Sequence, residues 1–200
     1  MFDERVRAAL PRVLGPVACV LAGFNVSPHV ITWVGFLGGA GAAAAVAAGW
    51  PLTGLALWLF SRLGDGLDGL VARETGEASA AGGYLDITLD MAAYSLMVLG
   101  FAAAHPEQGL AFAAILTGYT LAITTTLALS NAATAAGREI TRTDRTFQFT
   151  TGLAEAGETS VVYTLWVLFP GWLQVVAWIW VALLLVTVIQ RSRLAWRVLR

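Results

Sequence analysis

Asp65-Gly66-Leu67-Asp68-Gly69-Leu70-Val71-Ala72-Arg73, then eight residues, then Gly82-Gly83-Tyr84-Leu85-Asp86-Ile87-Thr88-Leu89-Asp90, sets four aspartates and an arginine where two apolar segments of the chain should meet. The surroundings make this stretch decisive. The 200 residues are 58% hydrophobic and 12% charged, with a mean hydropathy of +0.71, and the apolar runs have the length that crosses a bilayer. An unpartnered aspartate at the centre of a membrane helix costs about 2.5 to 3.5 kcal/mol on insertion scales. Four within one short segment therefore call for a binding partner, and a divalent cation is the natural one.

Working outward, the chain is expected to form one domain, 1–200, of the all-α class: an integral membrane bundle of about six transmembrane helices preceded by an N-terminal interfacial amphipathic helix. Residues 1–24 form the interfacial segment, 25–190 the bundle and 191–200 a cytoplasmic tail. The spans are read as 30–48, 52–72, 83–104, 109–130, a fifth ending at Phe169, and 172–190. Gly and Pro punctuate the turns between them. In the first segment Arg5, Arg7 and Arg12 alternate with Val, Leu and Ala, with Pro11 and Pro16 interrupting, which suits a segment lying along the membrane surface. The single Cys19 excludes an internal disulfide.

Lysine is absent, and eleven of the twelve arginines fall in the N-terminus, near Arg73, between Arg138 and Arg145, or in the C-terminal tail. By the positive-inside rule both termini and the aspartate segment face the cytoplasm, as in a multi-pass protein of the cytoplasmic (inner) membrane. The eight tryptophans include Trp50, Trp58, Trp166, Trp172 and Trp196 near expected span ends, which reads as an interfacial belt. No basic groove accompanies them, so nucleic acid is not an expected partner. No serine, cysteine or histidine nucleophile set is present, which argues against hydrolysis through a covalent intermediate.

Helical periodicity organises the acids. Asp65, Asp68, Gly69, Ala72 and Arg73 recur at steps of three or four, so one face of the second span presents two carboxylates, two small residues and a cation. Asp86 and Asp90 are one turn apart on the third span. If the connecting loop brings the two faces together, four carboxylates share one cavity, and their mutual repulsion requires a counter-cation. All-oxygen ligation favours magnesium or manganese over zinc. Two ions shared by four acids would form a clamp suited to displacement at phosphorus. Gly69, Ala72 and Gly82 lack bulk, so a nucleotide can approach the backbone, and Arg73 offers a fork matched to phosphate oxygens.

Two features carry open alternatives. Arg62, inside the second span, either neutralises Asp65 one turn later or faces the substrate path. Gly35 and Gly39 form a GxxxG pair that serves either a dimer contact or close packing within one bundle.

The whole string, from Asp65 through Arg73, then Gly82, Asp86 and Asp90 at their spacings, resembles the signature of the CDP-alcohol phosphotransferases (CDP-alcohol phosphatidyltransferases), with eight positions and three gaps matched. Residues 28–32 resemble the Pro-Asn-x-Ile-Thr segment that opens the family's first span, with His29 in place of asparagine. The resemblance implies transfer of a phosphatidyl group from CDP-diacylglycerol, or a related CDP-alcohol, to an acceptor hydroxyl, with release of CMP. It implies that Asp65, Asp68, Asp86 and Asp90 hold two metal ions, Mg2+ or Mn2+, and that Asp90 also takes the acceptor's proton. It assigns Gly69, Ala72, Arg73, Ser79 and Gly82 to the nucleotide and pyrophosphate, and His29, Val30, Ile31 and Thr32 to the cytidine end. A homodimer is a further implication.

The acceptor is not identified: inositol phosphate, glycerol 3-phosphate and serine are among the candidates. Glu155 and Glu158, on one face of the fifth helix, are candidates for acceptor hydroxyls or an amine, or are solvated at the helix entrance. Arg138, Arg142 and Arg145 would grip an acceptor phosphate, or serve only to set topology. A divalent cation transporter with intramembrane acids as its ion path is the alternative reading.

Overall fold

A computed structural model of the chain describes residues 2–138 and 156–199, and every regular element among them is helical. Seven α-helices follow one another: α1 (Phe2–Gly23), α2 (Pro28–Ala47), α3 (Pro51–Glu74), α4 (Ala80–Ala104), α5 (Gly109–Ala135), α6 (Ala156–Leu168) and α7 (Leu173–Leu199). Single 3-10 turns at Pro106–Gln108 and Pro170–Trp172 precede α5 and α7. The helices fall into two compact units, Met1–Glu107 and Gln108–Arg200.

The expected span limits lie within a few residues of the helices, and the differences have local causes. Helix α2 starts at Pro28, not Val30, because Pro at the first helical position needs no N–H partner and Ser27 precedes it in extended conformation. Helix α4 starts at Ala80, three residues before the expected Gly83, because Ser79 caps it, its Oγ accepting from the Gly82 N–H at 3.1 Å. Helix α7 does not stop at Gln190 but continues to Leu199, so the expected tail prolongs the last helix. Helix α1 runs unbroken past Pro11 and Pro16. Both prolines are on its exposed side, where the carbonyls they leave without an N–H partner are not trapped in a core.

Among the described residues, four helices, α2, α4, α5 and α7, are long and apolar enough to cross a membrane. Helix α3, with 24 residues, has the length of a span, but from its midpoint onward it carries Arg62, Asp65, Asp68, Arg73 and Glu74. Helix α6 is described over 13 residues. The chain is thus a multi-pass membrane protein.

Within residues 1–107, α2 is the hub. Its small residues let α3 and α4 approach closely on two sides. A Cβ at Gly64 of α3 would sit 3.2 Å from the Cα of Gly35, and one at Gly100 of α4 would sit 2.5 Å from the Ala43 carbonyl oxygen. A Cβ at Gly39 would meet Ala93 of α4 at 3.0 Å and the Ser61 hydroxyl of α3 at 3.1 Å. Gly35 and Gly39 therefore serve packing inside the bundle. Helix α1 packs against the other end of α3, where Ala18 joins Ile31 and Val71 in a small core.

Within residues 108–200, α5 and α7 pack along their lengths. Gly118 admits Leu184, whose Cδ1 would stand 2.9 Å from a Cβ there. Trp58 and Trp166 are fully buried, unlike Trp50, Trp172 and Trp196. This corrects the reading of Trp58 and Trp166 as belt residues. Trp58 is turned inward by its contact with Tyr94, ring centroids 5.3 Å apart, and Trp166 packs edge-on to Phe112 at 5.5 Å.

Candidate active site

The close approach of α3 and α4 around α2 brings the four aspartates to one cleft. It is lined by Thr32, Gly35 and Phe36 of α2, Ser61, Arg62, Asp65 and Asp68 of α3, and Asp86, Leu89 and Asp90 of α4. Asp90 is deeper than the sequence implies, because α4 starts earlier: it lies about 15 Å along the helix axis from Ala80 at ~1.5 Å rise per residue.

Each carboxylate has a distinct setting. Asp68 is buried, 6% exposed, and both its oxygens are engaged: the Thr32 hydroxyl donates to Oδ2 at 2.6 Å and the Gly69 N–H to Oδ1 at 2.5 Å. Asp65 and Asp86 are within hydrogen-bonding reach of each other across the two helices, an arrangement that two carboxylates keep only with a proton or a cation between them. Asp90 is paired with the Arg62 guanidinium.

Arg62 is the residue whose role the sequence left divided. Its main partner is Asp90 on the neighbouring helix; Asp65, one turn away on its own helix, is 3.8 Å distant. The reason is geometric. The i,i+3 spacing leaves Asp65 pointing towards Asp86, whereas the small residues of α2 let α4 come close enough to set Asp90 on the guanidinium. Arg62 also donates to the Tyr94 hydroxyl and to Ser61 Oγ, both at 3.1 Å, and its guanidinium carbon lies 4.6 and 4.9 Å from the ring centroids of Trp58 and Tyr94, which contact each other.

Other residues singled out in the sequence take varied places. Arg73 is exposed at the end of α3 and folds back over Gly69, where a Cβ would meet its Nη1 at 3.5 Å. The His29 ring lies beside Gly82, with Cε1 3.6 Å from where a Cβ would be. Of residues 29–32 only Thr32 lines the cleft. Ile31 is packed in the small core with Ala18 and Val71, and Val30 is exposed. Ser79 has its hydroxyl committed to the cap of α4, and Ala72 is half-buried on the α3 surface.

Of the acceptor candidates, Arg142, Arg145 and Glu155 lie outside the described residues. Arg138 follows α5, is exposed, and donates to the Val198 carbonyl. Glu158 is half-buried in the first turn of α6, and among the described residues its Oε2 is buried with no hydrogen-bond partner.

The sequence reading missed Ser61, Trp58 and Tyr94. The signal was present: Trp58, Arg62 and Asp65 are spaced i, i+4, i+7, and Asp86, Asp90 and Tyr94 are four apart, so the aromatic pair continues the acidic faces towards the membrane interior.

As a donor set for a metal, the cleft offers eight carboxylate oxygens and the hydroxyls of Thr32 and Ser61, all hard, which fits magnesium or manganese. Among the described residues, no three acidic, histidine or cysteine side chains are drawn together in ligating geometry. Arg62 holds Asp90, and Thr32 holds Asp68.

Comparison with known proteins places this arrangement. The CDP-alcohol phosphatidyltransferase family profile matches residues 25–189. The chain is 37% identical over 181 residues to inner membrane protein YnjF of Escherichia coli strain K12, covering 86% of this chain and 84% of that protein. It is 38% identical over 91 residues to a phosphatidylinositol phosphate synthase of Cutibacterium acnes, a match covering 44% of this chain and 42% of that one. Among solved structures, the fold resembles Mycobacterium tuberculosis phosphatidylinositol phosphate synthase in complex with manganese and citrate, with a TM-score of 0.74, 23% identity, and 90% and 88% of the two chains covered. The same enzyme with CDP-DAG bound aligns with a TM-score of 0.68 and 23% identity over 92% and 94% of the chains. With the profile spanning most of its length and its four motif aspartates lining one cleft, the chain belongs to the CDP-alcohol phosphatidyltransferase family.

Proposed function

We propose that this protein transfers a phosphatidyl or related phospho-alcohol group from a CDP-alcohol, such as CDP-diacylglycerol, to an acceptor hydroxyl, releasing CMP in phospholipid synthesis. The observation that carries this reading is the convergence of Asp65, Asp68, Asp86 and Asp90 on one cleft beside the bare backbone of Gly69. A divalent cation carrier would use the same acids as an ion path, but membership of a transferase family favours chemistry over transport.

In this reading Asp65, Asp68, Asp86 and Asp90 hold two Mg2+ or Mn2+ ions, which neutralise pyrophosphate charge and polarise the acceptor hydroxyl when bound. The chain's own residues then position the reactants. Thr32 and the Gly69 N–H orient Asp68, so one carboxylate of the set has a fixed rotamer. Gly69 leaves room for the nucleotide, and Arg73, folded over it, offers planar donors to the pyrophosphate. His29, Val30, Ile31, Thr32, Ala72, Ser79 and Gly82 complete the proposed nucleotide contacts; of these, His29 and Gly82 are adjacent. The acceptor oxygen forms a bond to the lipid-side phosphorus as its proton passes to Asp90, and the bond from that phosphorus to the bridging oxygen breaks to release CMP.

A phosphorylated polyol such as inositol phosphate or glycerol 3-phosphate is the proposed acceptor. Support comes from the synthase relatives and from Arg138, Arg142 and Arg145, which with Glu155 and Glu158 remain the proposed acceptor contacts. The protein is further proposed to be a homodimer, with the cleft and both termini on the cytoplasmic side of the inner membrane. Release of labelled CMP from CDP-diacylglycerol by purified protein, over a panel of acceptors with lipid products read by mass spectrometry, tests the reading. Turnover with one acceptor supports it, and no CMP release with any acceptor in Mg2+ or Mn2+ sinks it.

A further inference from the structure

Arg62 is not part of the motif that defines the family, yet it is the most completely held side chain in the cleft. Its side chain is 14% exposed, with the guanidinium against both the Trp58 and Tyr94 rings and fixed by Asp90, Tyr94 and Ser61. Its Nε is buried and has no hydrogen-bond partner among the described residues. A cation inside a membrane bundle is costly unless matched by an anion, and here the match is Asp90.

We propose that Arg62 is the built-in counter-cation of Asp90, so that in the absence of nucleotide the pair is a neutral unit and divalent metal is held by Asp65, Asp68 and Asp86 alone. This rests on the reading above that the cleft takes divalent metal. Two features set the guanidinium against a metal ion for Asp90. It is attached to α3 and already stacked on Trp58 and Tyr94, so little ordering is required to keep it in place. Also, with Arg62 present the four carboxylates leave a net charge of three negative in the cleft. Asp90 then becomes available to an acceptor hydroxyl only when a bound nucleotide's phosphates compete for the guanidinium. Arg62 is thus a positioning residue for this reaction.

The test is Mn2+ binding to the full-length protein in detergent without nucleotide, followed by loss of the free-ion electron paramagnetic resonance signal. Arg62→Gln exposes Asp90 and is expected to bind Mn2+ about tenfold more tightly or to take up an additional ion, from the removal of one positive charge near the site. The double variant Arg62→Gln with Asp90→Asn removes anion and cation together, leaving the cleft's net charge at three negative as in wild type, and is expected to bind Mn2+ within about threefold of wild type. A tenfold or greater loss in the double variant would show that Asp90 ligates metal in the free protein, and would overturn the proposal. Unchanged affinity and stoichiometry in Arg62→Gln would overturn it as well. No Mn2+ binding by wild type would instead overturn the metal reading of the cleft, and this inference with it.

Discussion

The two units of this protein both bury polar side chains, and they treat them in opposite ways. In residues 108–200 the buried polar groups described are neutral apart from Arg191, and they bond to one another or to backbone carbonyls. The Tyr119 and Tyr163 hydroxyls are 3.0 Å apart, Trp180 donates to Tyr119 at 3.1 Å, and Thr126 bonds back to the Ala122 carbonyl at 2.8 Å. The Arg191 guanidinium donates to that same carbonyl at 3.0 Å. In residues 1–107 the buried and half-buried polar groups of the cleft are mainly charges of one sign, and a single arginine offsets four aspartates. A network that closes on itself holds helices together, whereas a charge imbalance inside a membrane bundle persists only where a ligand completes it. The contrast separates structure from function more sharply than burial does.

Breaking the imbalance should have the largest effect. Asp90→Asn keeps the shape of the side chain but cannot accept the acceptor's proton, and is expected to lower CMP release by roughly 10²- to 10⁴-fold. Wild-type turnover in this variant would remove Asp90 from the role of base. Next, Thr32→Val deletes the hydroxyl on Asp68 without changing volume much. Loss of a hydrogen bond to a charged group is worth about 1.5 to 3 kcal/mol of stability, so the melting temperature in detergent should fall measurably, and kcat/KM for the CDP-alcohol should fall about ten- to a hundredfold as Asp68 loses its fixed rotamer.

The remaining predictions probe packing instead of charge. Gly100→Val would drive a Cβ against the Ala43 carbonyl, and overpacking of this kind costs about 1 to 3 kcal/mol. A clear fall in melting temperature is expected, together with loss of the close α2–α4 approach that sets Asp86 and Asp90 in the cleft. A stable, active Gly100→Val protein would show that this approach tolerates more separation than the structure implies. The smallest effect belongs to the neutral network. Tyr119→Phe leaves Tyr163 and Trp180 short of one partner each, and interhelical hydrogen bonds in membranes average about 0.6 kcal/mol. Only a slight drop in melting temperature should follow. A loss as large as that for Gly100→Val would mean that residues 108–200 depend on their hydroxyls as heavily as residues 1–107 depend on close backbone contact.

Much of this was legible in the sequence because it is local. Apolar length marks spans, and helical period sets Asp65 with Asp68 and Asp86 with Asp90 on their own faces. The places where the sequence reading went astray are those where an element's environment overrode its composition. Trp58 and Trp166 lie near span ends by count yet are buried by aromatic neighbours from distant parts of the chain. Pro11 and Pro16 interrupt a helix by propensity, but α1 passes both.

By itself, then, the sequence determined the helices, their order and the acidic motif, since hydropathy, spacing and Gly or Pro punctuation act over a few turns of one chain segment. Only the tertiary structure decided that Arg62 belongs to Asp90 and that Gly35 and Gly39 serve the bundle. Both depend on how near α2 lets α3 and α4 come, a distance set by side chains far apart in the chain and by no periodicity within it.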